Sequence, residues 1–128
     1  LNLLTMTLSG LELSALISAG IIMSNADGKR TDDEDNILIK ELTSFNVSHD
    51  EAKLYLNVAV DMSSEYTVEV LKAMSDDKKK YACGYLAAVM AADEDIAEKE
   101  LEAWVAFSTL CNFPTMTLGD AYEFWRNN

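Results

Sequence analysis

One acidic pattern occurs twice in this chain, and the repetition limits the fold more than any other feature. Asn25-Ala26-Asp27-Gly28-Lys29-Arg30-Thr31-Asp32-Asp33-Glu34 returns as Ala91-Ala92-Asp93-Glu94-Asp95-Ile96-Ala97-Glu98-Lys99-Glu100, with a Glu seven positions after the Asp in both copies. Each copy follows an apolar run of helical period and leads into another. The unit is therefore a helix, an acidic corner and a second helix. Laying residues 26–46 on 92–112 gives five identities in 21 positions (Ala26/Ala92, Asp27/Asp93, Glu34/Glu100, Thr43/Thr109 and Asn46/Asn112). Average composition gives about one. An Asn followed by an apolar residue closes the second helix of each copy, at Asn46-Val47 and Asn112-Phe113. Two such corners can bring four carboxylates together.

A chain of 128 residues, 49% of them apolar, is long enough for one domain with a real core and is not a disordered sequence. One Pro and five Gly favour long helices over a turn-rich β fold. No segment alternates with period two for long enough to make a strand. The longest apolar or small run, Tyr81 to Ala92, covers 12 residues and is too short to span a bilayer, so it reads as a buried helix. Nothing marks a secretion signal. The net charge of −12 argues against nucleic acid, whose phosphates need Lys and Arg. It fits a bound cation, a basic protein partner, or plain solubility. Cys83 and Cys111 lack metal-ligand spacing and are expected to be buried free thiols, as in a reducing cytoplasm.

About seven helices are expected, in a compact all-α bundle with an internal pseudo-twofold repeat over residues 10–46 and 76–112. The first runs from about Ser9 to Asn25, with Leu11, Ala15, Leu16, Ala19, Ile22 and Met23 inward. The second opens on a capping box, Thr31 with Glu34, and buries Ile37, Leu38, Leu42 and Phe45. Ser48-His49-Asp50-Glu51 is a capping box for the third, which Ser63-Ser64 breaks. A short helix follows near Tyr66 to Met74. Ser75 caps the fifth, which is apolar on nearly every side and should be central. Its Lys78-Lys79-Lys80 reads as a solvated first turn or a docking patch. The sixth runs from about Ala97 to Cys111, with Leu101, Trp104, Val105, Ser108 and Leu110 or Cys111 as its inner stripe, and Pro114 prevents continuation. Thr117 with Asp120 starts the last.

The carboxylates carry the only candidate chemistry. Glu34 is explained by its capping box, and Asp27 by helix termination or bonds to loop amides. In the second copy Asp95 with Glu98 would suffice as a cap, leaving Glu100 surplus; alternatively Ala97 holds the cap position and Glu100 bonds the backbone there. If a cation binds, oxygen ligands suit Ca²⁺, Mg²⁺ or Mn²⁺ better than Zn²⁺. Neither loop is an EF-hand, because position 12 counted from Asp27 or Asp93 is Leu38 or Trp104. The single histidine, His49, excludes a di-iron carboxylate bundle and reads as a surface residue rather than a ligand. No hydrolytic triad or phosphate-binding Gly-rich loop is present.

The order of apolar helix, Ala26-Asp27-Gly28, Glu34 and amphipathic helix, repeated as Ala92-Asp93-Glu94 with Glu100, resembles the tellurite-resistance TerB-like domain. The resemblance covers about residues 10–113 and departs at Glu94, where the first copy has Gly28. It implies a single TerB-like domain over residues 1–128, four central helices, and metal binding by Asp27, Glu34, Asp93 and Glu100. It implies no catalytic activity. It also implies a bacterial stress-response setting in the cytoplasm, including the periphery of the inner membrane, since such domains occur beside DnaJ-type modules in a membrane-anchored co-chaperone. The expected partner is a protein, basic in character or a second copy of the chain, with no nucleic acid and no membrane span. The competing expectation is a metal-free acidic interaction domain.

Overall fold

Hydroxyl side chains begin most of the helices. The computed structural model describes residues 8–26, 37, 40, 47–92 and 98–128. These contain α1 (Gly10–Ser24), α2 (His49–Asp61), α3 (Ser64–Lys72), α4 (Asp76–Ala91), α5 (Glu98–Leu110) and α6 (Leu118–Arg126). Ser9, Ser48, Ser63, Ser75 and Thr117 each accept a hydrogen bond from the backbone N–H three residues on, at 3.1 to 3.4 Å. Each such cap contributes about 1 kcal/mol. Ser9 and Ser48 form full capping boxes, in which Glu12 and Glu51 accept from the cap backbone. The Ser48, Ser75 and Thr117 caps fall where the sequence places them.

The C-terminus of α5 is closed by a left-handed residue. Asn112 has φ 56°, a conformation that Asn adopts more cheaply than most side chains. The Asn112 N–H donates to the Thr109 carbonyl, and the Phe113 N–H to the Ser108 carbonyl. This pair of bonds is a Schellman motif, and Phe113 is buried beside it.

Two helices form the centre. In α4 every residue from Tyr81 to Met90 is buried, as its all-round apolar pattern predicts. In α1 burial is as continuous, from Leu13 to Gly20 and again at Met23 and Ser24. Leu11, expected on the inner face of α1, is instead 44% exposed. The small residues Ser14, Ala15, Ser18, Ala19 and Gly20 let neighbours crowd α1 from several sides. Helices α2 and α3 pack on α1, α6 lies along α4, and α5 touches α1, α3 and α4. Ser18 Oγ and Thr67 Oγ1 lie 2.8 Å apart in this core. Thr67 already donates to the Ser63 carbonyl, so Ser18 is the donor. The result is a compact all-α bundle, with no strand among the described residues. No described helix is long and apolar enough to cross a membrane.

The predicted second helix falls largely outside the described residues. Its two described positions are both helical: Ile37 packs against the core, and Lys40 is exposed. Leu38, Leu42, Phe45 and the Thr31–Glu34 capping box lie outside them.

Candidate functional site

Glu100 is the sequence-predicted site residue that the structure places. It lies in the first turn of α5 and is 2% exposed. Residues 100, 104, 107 and 111 advance by four, three and four, so they share one helical face. Glu100, Trp104, Phe107 and Cys111 are all buried. This corrects the expected stripe. Leu101, Val105 and Leu110 point outward, at 41, 52 and 58% exposed. The physical reason is the glutamate itself. Phase is read from apolar spacing, and an acid on the inward face rotates the best apolar fit away from the true one.

The burial of Glu100 differs from that of the capping glutamates. Glu12 is half-buried and Glu51 exposed, each able to do its capping work near water. A carboxylate with almost no exposure loses hydration worth several kcal/mol unless hydrogen bonds or a positive charge replace it. A simple N-terminal cap does not need that depth.

Neighbouring contacts fix where Glu100 lies along the bundle. Trp104 Nε1 donates to the Cys83 carbonyl at 3.0 Å, and Ser108 Oγ is 3.9 Å from Cys83 Sγ. Cys111, just past the end of α5, feels the charge of Lys79 at the start of α4. Helices α4 and α5 are thus antiparallel, and Glu100 faces the C-terminal part of α4. The start of α4 is tied to the start of α1, because Lys78 Nζ donates to Glu12 Oε1 at 2.8 Å. Helix α1 also packs on α4, so the two central helices are joined near their starts.

Of the other candidates, Asp27, Glu34 and Asp93 lie outside the described residues, and so does the side chain of His49. Among the described residues, no three His, Cys, Asp or Glu side chains gather as a cation site.

Both cysteines are free and buried. Burial pushes the Cys83 thiol up despite its contact with Ser108. Burial also drives Cys111 up to about 11, against the opposing charges of Lys79 and Lys72. Burial disfavours the thiolate of both, so neither is poised as a nucleophile.

Sequence reasoning missed the polar link at the opposite end. Burial raises the carboxyl pKa of Glu12, but the hydrogen bond from Lys78, the Ser9 backbone and the Lys78 charge outweigh it, so Glu12 ionises below its ordinary range. The signal was present as Ser9-x-x-Glu12. The lysine triplet is also not a solvated turn. Lys78 is paired, Lys79 is buried, and Lys80 Nζ lies 5.9 Å from the Phe124 ring centroid. Long aliphatic stems let lysines cover apolar surface in this way.

Open clefts are formed by the described residues at two places. One, about 380 Å³, lies beside the end of α5 between Trp104, Val105, Asn112, Pro114 and Met116. The other, about 370 Å³, lies between the first turn of α1 and α3.

A crystal structure of a protein of unknown function from Porphyromonas gingivalis is similar to this chain, with 36% sequence identity and a TM-score of 0.82. The match covers 96% of this chain and 99% of that one. No protein-family model and no curated protein matches the chain.

Proposed function

The chain belongs to the same family as the Porphyromonas gingivalis protein, and from that premise we propose a small, non-enzymatic TerB-like binding module that holds a divalent cation at one end of its helical bundle. The ligands are Asp27, Glu34, Asp93 and Glu100. The observation that carries this reading is the burial of Glu100, an acid that repeats Glu34 and is deeper than capping requires.

The proposed pseudo-twofold repeat supports bringing the other three ligands to the same end. Ala92 follows Ala26 by 66 positions. At that same offset Ser9 and Ser75 both cap helices, and Gly10 and Asp76 both begin them. Glu12 and Lys78, which bond to each other, are also 66 apart. The offset of the acidic pattern thus also matches the starts of the central helices, in support of the proposed repeat. In this reading seven helices form two related halves, and the acidic corners leave α1 and α4 side by side. Oxygen ligands make Ca²⁺, Mg²⁺ or Mn²⁺ the suitable ions rather than Zn²⁺.

Thermal melts with each of these ions test the reading. A saturable rise in Tm is expected, since an ion at about 100 times its Kd adds about 2.7 kcal/mol. Asp27→Asn/Asp93→Asn should abolish the rise. No rise with any ion, or the same rise in the double variant, refutes the cation site. The net charge of −12 favours a second reading, a metal-free acidic module for a basic protein. A partner bound equally well in low and high salt would count against it.

A further inference from the structure

We propose that the groove between the first turn of α1 and α3 docks a basic, amphipathic helical segment of a partner protein. Leu11, Glu12, Tyr66, Glu69, Val70 and Ala73 line it. Leu11 and Tyr66 keep 44 and 45% of their surface in water. On α3, residues 66, 69, 70 and 73 recur at intervals of three and four. They form one stripe about 10 Å long, the length of two helical turns. An amphipathic helix laid along it would cover Leu11, Tyr66 and Val70.

Charge selects the occupant. Lys78 neutralises Glu12. Glu69 on the wall and Glu65 one turn before it are exposed. Only Lys72 opposes them on this part of α3. An apolar floor with a carboxylate rim matches an apolar helix face flanked by Lys and Arg. A second copy of the chain would bring another net charge of −12 to the contact, so self-association is disfavoured. The groove is lined by none of the four proposed cation ligands, and the inference does not depend on that site.

The test uses ¹⁵N-labelled protein titrated with a synthetic amphipathic helical peptide of leucine and lysine. Amide shifts should concentrate in residues 9–12 and 65–73. Glu65→Lys/Glu69→Lys should weaken binding by about tenfold or more, whereas Glu98→Lys/Glu102→Lys on exposed α5 should change it by less than about twofold. Both pairs are exposed, and unchanged melting confirms that each variant is folded. No binding, shifts spread over other faces, equal weakening by the two pairs, or equal binding of a leucine–glutamate peptide would overturn the proposal. Groove shifts on concentrating the protein alone would assign the surface to a second copy and overturn it too.

Discussion

Replacing Gly84 by Ala should reveal how tightly α6 is seated on α4. A Cβ at Gly84 would overlap the Ala121 carbonyl oxygen and come 2.6 Å from Trp125 Cβ, where ordinary contact begins near 3.4 Å. Both obstacles belong to α6, and a backbone carbonyl cannot rotate aside as a flexible side chain can. The helix must retreat by about 1 Å, a gap that forfeits a quarter to a half of each contact's dispersion energy. Overpacking of this kind costs about 1–3 kcal/mol, and displacement of a whole helix puts the expected cost at the upper end. Alanine returns about 1 kcal/mol through better helix propensity. The net expectation for Gly84→Ala is a loss of about 2 kcal/mol, or a fall in Tm of about 8 °C. Urea unfolding followed by circular dichroism measures it. Gly119→Ala is the control. Gly119 lies on α6, its added Cβ would meet nothing within 4 Å, and stability should hold or rise by up to about 1 kcal/mol. A Gly84→Ala protein as stable as the parent would refute close seating of α6.

The ion pair between Glu12 and Lys78 gives a pH signature. The folded pKa of Glu12 lies below its ordinary 4.5, so the pair stabilises the fold above that pH and loses its contribution as pH falls through the lowered value. Glu12→Gln should lose up to about 1 kcal/mol at neutral pH and decline less steeply in acid, as urea midpoints from pH 7 to pH 3 would report. Both thiols should resist an aromatic disulfide reagent at pH 8 in the native protein and react at once in denaturant; rapid native reaction would contradict their burial and raised pKa. At Asn112, Gly should be tolerated, whereas Val should cost about 1–2 kcal/mol in thermal unfolding because it resists positive φ.

Much of the bundle was legible because its signals are local. A Ser or Thr before an apolar run is read directly, and the caps at Ser48, Ser75 and Thr117 follow from it. The continuous burial of α4 follows from a run with no polar face. The phase of α5 was not legible. Its buried stripe includes Glu100, and hydropathy alone assigns an acid to solvent. Lys79 was misplaced for the related reason that its charge hides a long aliphatic stem. The Glu12–Lys78 pair spans 66 residues of sequence, and no local pattern announces it. The repeat marks Glu100 in the sequence, whereas its burial follows only from the tertiary packing of α5.

Counting the Mn²⁺ bound to the protein by electron paramagnetic resonance would test most directly whether the acidic corners form a shared site. One ion per chain is expected at saturation, with binding lost in Asp27→Asn/Asp93→Asn and weakened at least about tenfold in Glu100→Gln. Ca²⁺ or Mg²⁺ should displace the bound Mn²⁺. No saturable binding, or binding unchanged by all three substitutions, would contradict a cation site built from Asp27, Glu34, Asp93 and Glu100.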